Sequence, residues 1–179
     1  IIYWAREYWN NHSRSPEENQ YLQIKQQTLN YFIEQSTSQI TDFDLAKVLY
    51  HYIGNKFICA DIKNNIWYEF KNHKFKKIDC GVNVSLIVST NLYQLYYDRM
   101  VETTKAVKDL DPEDEKKWKI VRTKLKALSS ICLRLRDTGK KDKIMKAAKE
   151  LFYDSYFGEK IDKNVKLLGC NNAVSYTHL

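Results

Sequence analysis

Apolar residues near the start of the chain recur at three- and four-residue steps: Tyr3, Trp4 and Tyr8, then Tyr21, Ile24, Leu29, Phe32 and Ile33. Asn, Ser and Pro cluster between them, over residues 10–16, so the pattern predicts two helices with a turn between. Ser36 to Thr41 is a polar connector. Thr41 or Asp42 then caps a helix whose Leu45, Val48, Leu49, Tyr52 and Ile53 share one side, and Gly54 is expected to end it in the left-handed conformation. From Lys56 the period changes from helical to extended. Residues 56–60, 66–70 and 74–78 are short β-prone runs separated by turn formers, which predicts a three-stranded antiparallel meander with Trp67 against the flanking helices.

The helical period returns at Ser85, the expected cap of a segment carrying Leu86, Ile87, Leu92, Tyr93, Tyr96, Tyr97 and Met100 and ending near Val107. Asp111, Pro112 and the acids at 113–115 form a helix start, with a cap, a first-turn proline and negative charge at the positive end of the helix dipole. The helix they open carries Trp118, Val121, Leu125, Leu128, Cys132 and Leu135 as an apolar seam and ends before Gly139. A last helix is expected over 143–152. These elements make an α+β fold, mainly α-helical, with one small meander.

With 179 residues, 5 Gly and 2 Pro, the chain is domain-sized, and 44% hydrophobic with 13% aromatic residues is far from a disordered composition. Both ends read as cut from something longer. The last residues, 173–179, resemble translated adaptor sequence and are set aside. No run approaches the ~20 apolar residues of a membrane span, and nothing resembles a signal peptide, so a soluble intracellular protein is expected. The cysteines at 59, 80, 132 and 170 lack metal-ligand or disulfide-framework spacing and read as buried thiols.

Charge is unevenly placed. Residues 1–100 carry 11 basic and 10 acidic side chains and residues 101–179 carry 18 and 12, and the basic excess centres on the 116–136 helix, which has eight cations and no acid. Lys116, Lys117, Lys119, Arg122, Lys124, Lys126, Arg134 and Arg136 are therefore the candidate nucleic-acid-binding residues, contacting phosphates around an apolar face docked on the domain. A solvated helix face is the competing reading. Tyr93, Tyr96 and Tyr97 invite comparison with base-stacking residues, but at helical spacing aromatics more often belong to the core. Asp42 and Asp44 would share a face and hold a metal pair only on a strand; on the helix expected here they diverge, which leaves them as cap and first-turn acids. The histidines at 12, 51, 73 and 178 have no ligand spacing, and no Walker loop or nucleophile motif occurs.

The segment order then becomes informative. Asp44-Leu45-Ala46, Gly54-Asn55-Lys56-Phe57-Ile58 and Trp67-Tyr68-Glu69-Phe70 resemble the helix-then-meander signature of the domain preceding the superfamily 3 helicase in poxvirus, giant-virus and phage or plasmid primase-helicases. Leu151, Phe152 and Phe157, then Ile161-Asp162-Lys163-Asn164 and Leu167-Leu168-Gly169-Cys170-Asn171-Asn172, resemble the far end of that domain, with Ile161 in place of the usual Leu and Ala173 where Gly is expected. The resemblance covers residues 42–172 as the helicase-preceding domain, and residues 1–38 are similar to the helical region after a viral primase domain.

The resemblance implies a middle segment of a DNA-replication primase-helicase of a virus or phage, acting inside the host cell. The parent chain would bind ATP and Mg, unwind DNA and assemble as a homo-oligomer, a hexamer by family likeness, while this segment holds no catalytic residue or cofactor, couples the two activities and contacts DNA through phosphates. A stand-alone basic interaction module, such as a replisome adaptor with an acidic partner, is the alternative, and a transcriptional regulator built on the helices is a third. The first test is catalytic: the purified chain is expected neither to hydrolyse ATP nor to extend a primer. Metal-dependent nucleotide transfer lost on Asp42→Ala with Asp44→Ala would overturn that expectation.

Overall fold

The computed structural model of the protein describes residues 15–72, 74–107 and 114–160. The expected first helix near Trp4, the turn histidine His73, the Asp111–Glu113 cap, the motifs over 161–172 and the tail 173–179 lie outside them.

Helix α1 (Pro16–Ser38) opens on a reciprocal cap: the Glu18 amide donates to the Ser15 hydroxyl at 3.2 Å and the Ser15 amide to the Glu18 carboxylate at 3.1 Å. Only its second half is buried. Leu29 and Ile33 enter the core while Tyr21 and Ile24, on the same expected stripe, stay exposed. Helix α2 (Asp42–Ile53) is capped by Thr41, whose hydroxyl accepts from the Asp44 amide at 3.1 Å. Leu45, Ala46, Val48, Leu49 and Ile53 are buried, so α2 is the central element, packed between α1 and α6 (Thr138–Leu151). Gly54 follows in right-handed conformation, φ −56°, not the left-handed one expected. Its role is close approach, since a Cβ there would fall on the Tyr50 carbonyl oxygen.

Strands β1 (Phe57–Asp61), β2 (Ile66–Lys71) and β3 (Lys74–Ile78) form the antiparallel meander in the order β1-β2-β3, within one residue of the expected limits. Asn65 and Asn72 supply left-handed residues at its two turns, φ 54° and 53°. The outer edge of β1 is stitched to the chain after α6: the Cys59 amide donates to the Phe152 carbonyl at 2.9 Å and the Asp154 amide to the Cys59 carbonyl at 3.1 Å.

A short turn (Asp79–Gly81) with Cys80 and Gly81 at positive φ leads into α3 (Val82–Ile87). That helix starts three residues before Ser85, because left-handed Gly81 sets its first turn, and Ser85 is not its cap. One wide π-turn (Val88–Leu92) joins α3 to α4 (Tyr93–Ala106). Val84, Val88, Leu92 and Tyr96, spaced four apart, are all fully buried. At 3.6 residues per turn such a stripe would drift off the core, and the π-turn takes up the extra residue. The one buried polar side chain among the described residues, Ser36, bonds Tyr96 Oη across the core at 2.6 Å, and burial pushes the Tyr96 hydroxyl pKa upward.

Helix α5 (Glu115–Arg136) is capped by Asp114, whose carboxylate accepts from the Lys117 amide at 3.1 Å. Asp114 caps with φ −82° and ψ 73°, outside the extended region, and the expected cap at Asp111 lies outside the described residues. Asp137 ends α5 and caps α6, accepting from the Lys140 amide at 2.8 Å. This corner at Asp137 starts the last long helix five residues earlier than expected, and Gly139 lies inside its first turn rather than in a break. Phe157 opens a final short helix, α7 (Phe157–Lys160). No helix among the described residues is long and apolar enough to cross a membrane.

Trp67 is 0% exposed, its indole N–H donates to Asn65 Oδ1 at 2.9 Å and its ring meets Phe152 at 5.5 Å between centroids. A Cβ on Gly81 would stand 3.0 Å from the indole nitrogen. Trp67→Ala is expected to cost about 3–5 kcal/mol and leave no cooperative unfolding transition. Gly81→Ala, strained by its φ of 67° as well as crowded, should lose roughly 1–2 kcal/mol in urea unfolding. An unchanged midpoint in either variant would contradict this packing.

Candidate nucleic-acid interface

The apolar seam of α5 docks as its spacing requires: Leu128, Cys132 and Leu135 are buried, and Trp118, Val121 and Leu125 are half-buried above them. Ile131 joins the buried set, a position the seam omitted. Around this face the eight cations separate into two groups. Arg134 donates to Asp42 Oδ1 at 2.9 Å with both side chains about a quarter to a third exposed, tying α5 to the first turn of α2. Lys124 reaches both oxygens of Glu34 on α1 at 2.9 Å. Lys117 closes on Asp114 of its own cap, and Arg136 lies over the Tyr93 ring at 3.8 Å. These four are engaged within the fold.

Lys116, Lys119, Arg122 and Lys126 make no ion pair among the described residues. At about 100° per residue, Lys119, Arg122 and Lys126 fall on one stripe roughly 60° wide on the outward side of the helix, with Lys116 on its flank. The three border an open groove of about 760 Å³ whose described lining, with Glu115, Trp118 and Thr123, comes from α5 alone. Arg122 stands 5.8 Å from the Trp118 ring centroid. A line of cations one turn apart, met only by Glu115 at its N-terminal end and in no ion pair with it, is suited to a row of phosphates.

The other candidates resolve into structure. Asp42 pairs with Arg134, whereas Asp44 bonds Thr41 and Lys47, so the two acids cap and tether a helix and do not converge. No group of three or more His, Cys, Asp or Glu fit for a metal occurs among the described residues. Tyr96 is fully buried, and Tyr93 stacks on Tyr97 at 5.9 Å beneath Arg136, which removes Tyr93 and Tyr96 as base platforms. His51 stacks on Phe32 at 4.2 Å, and burial lowers its pKa. Cys59 and Cys132 are buried, with thiol pKa raised by desolvation, but Cys80 is exposed, a correction to the expectation of buried thiols. Its left-handed turn holds it at the surface. One basic cluster escaped the sequence reading: Lys71, Lys74, Lys76 and Lys77 are exposed on β2 and β3, and the run of lysines without an acid over 70–78 was the available signal.

Comparison with known proteins supplies the family. Residues 46–175 match the family model described as D5 N terminal like, nearly three quarters of the chain. The chain is 26% identical over 162 residues to "Putative helicase L207/L206" of Acanthamoeba polyphaga mimivirus, covering 88% of this chain and 16% of that protein. It is 25% identical over 162 residues to "Putative helicase 022R" of Frog virus 3 (isolate Goorha), covering 75% of this chain and 16% of that protein. The chain therefore spans about one sixth of the length of these curated relatives. The resemblance drawn from the helix-then-meander segments is borne out, and the chain belongs to the D5 N terminal like family of viral primase-helicase domains.

Proposed function

We propose that the chain is the non-catalytic middle segment of a viral DNA-replication primase-helicase, coupling primase to helicase, and that α5 grips duplex DNA through its phosphates. One observation carries the DNA reading: the three cations on the outward side of α5 lack carboxylate partners, while Lys124 and Arg134, turned toward α1 and α2, have them. In the whole protein, ATP and Mg would belong to the helicase and not to α5, and a hexameric ring would place several such helices around one DNA. Lysine predominates on this surface, and a compact point charge suits phosphate better than a base edge, so binding is independent of sequence.

The test is a salt titration of duplex binding. Lys119→Gln, Arg122→Gln and Lys126→Gln together should flatten the slope of log K against log salt by roughly 2.7, at about 0.9 per phosphate contact. Arg134→Gln is the internal control: it should lower stability by up to about 1 kcal/mol through loss of the Asp42 pair and leave the slope unchanged. Equal binding by the triple variant would instead favour the adaptor reading, with α5 facing an acidic protein.

A further inference from the structure

Helix α1 carries an apolar surface that the described core does not cover. Leu29, Ile33 and Ser36 are buried on one side, yet Tyr21 is 64% exposed, Ile24 54% and Tyr31 58%. At about 100° per residue these three share a second stripe, roughly a third of a turn around the helix from the buried one. Beside it runs a groove of about 380 Å³, with Tyr21, Ile24 and Thr28 on one wall and Tyr50, His51 and Gly54, at the end of α2, on the other. Single exposed apolar side chains are ordinary, whereas a stripe of them along a groove marks a contact surface. The α2 wall is held in place. His51 stacks on Phe32 at 4.2 Å, and Tyr50 packs edge-on against His51 at 5.6 Å and against Phe152 at 5.2 Å. Lys25 is the only lysine or arginine on the described lining, too little charge to hold a nucleic-acid backbone, so the site suits an apolar occupant.

The sequence that joins α1 at Ser15 has the matching pattern. Ile1, Trp4 and Tyr8 recur at three- and four-residue steps, and the polar residues 10–15 separate that run from α1. A connection of this length is typical between antiparallel neighbouring helices. A segment that turns back about the middle of residues 10–15 brings Trp4 level with Tyr21 and Ile1 level with Ile24, because each pair is equally far along the chain from the turn. At ~1.5 Å per residue, the stretch from Ser15 to Ile24 and the stretch from Asn10 back to Ile1 each cover roughly 13.5 Å. The run is therefore long enough to cover Tyr21 and Ile24 and stops short of Tyr31.

We propose that the groove between α1 and the end of α2 is the docking site of the chain's own residues 1–9, with Trp4 set against Tyr21 and Ile1 against Ile24. The docking rests on no reading of what the chain binds; under the coupling proposed above, it makes the connection between the two regions a rigid joint. Disulfide trapping in the full chain tests it, with Cys80→Ser and Cys170→Ser as background. Ala5→Cys with Tyr21→Cys should close a bond within one chain under mild oxidation, seen as a faster-migrating monomer on a non-reducing gel. Ala5→Cys with Asn19→Cys is the control, since Asn19 is as near in sequence but lies on the far side of α1, and it should form its bond at least about tenfold more slowly. In urea unfolding, Trp4→Ser and Tyr21→Ser should each lower the midpoint, and the pair together should fall short of the sum of the two shifts, as contacting residues do. Equal trapping in the two cysteine pairs, no trapping, or additive shifts would overturn the docking. A disulfide-linked dimer in place of the internal bond would give the groove to a second copy and overturn it as well. The readout is a bond inside one chain, so its failure leaves the DNA reading of α5 untouched.

Discussion

The seating of Trp67 between the meander and the helices is the contact on which the arrangement depends. A small sheet is stable only with a covered hydrophobic face, and here one large ring joins it to the helical body. The ring touches Phe152 at the end of α6, whose carbonyl also takes the Cys59 amide, so side-chain packing and a backbone bond act at the same junction. The chain accommodates the ring by removing atoms elsewhere. Gly81 has no Cβ under the indole, and Asn65, itself in a left-handed turn, takes the indole N–H. The left-handed backbone of Cys80, the one non-glycine of this pair, is the local cost, and the start of α3 at Val82 follows from the left-handed Gly81.

The second organising feature is how α5 distributes its charge. Exposed ion pairs contribute little, with a typical value of about 0–1 kcal/mol, so the pairs of Lys124 with Glu34 and Arg134 with Asp42 are better seen as setting where α5 lies against α1 and α2 than as a main source of stability. The buried seam, with Leu128, Ile131, Cys132 and Leu135, supplies far more, since each large apolar side chain is worth roughly 1.5–3 kcal/mol on full burial. The seam holds the helix and the paired cations orient it, leaving Lys119, Arg122 and Lys126 on the outward side without an ion pair among the described residues.

Much of this was legible because periodicity reports burial. The seam of α5 and the Leu45, Val48, Leu49 and Ile53 side of α2 each mark one face that proved to be the inner one, whereas Leu86, expected on the stripe of the following helix, is 60% exposed, and the buried Val84 and Val88 lay outside that stripe. What failed was local and had a common cause. Gly54 was expected to be left-handed and is not, Ser85 was expected to cap and does not, and Asp137, a residue without a distinctive pattern, makes the corner between two long helices. Glycine tolerates several conformations, and whether a Ser or Asp caps depends on how the chain enters the helix, so their roles depend on neighbours that a single sequence does not reveal.

The candidate surfaces show the same division. Fold class and the basic helix with one apolar face were legible because period and charge are properties of single elements, and the family was legible in the resemblance of several short motifs taken in order. It could not say which of eight cations on that helix are engaged, since Glu34 and Asp42 lie 90 and 92 residues from their partners and meet them only after α1 and α2 have packed. Nor could it place Lys71 opposite Lys74, or range Phe70 and Phe75 behind Phe157, because strand register and the return of the chain from α6 decide those contacts. Short-range pattern is written in the chain; the pairing of distant charges and rings exists only once the core has closed.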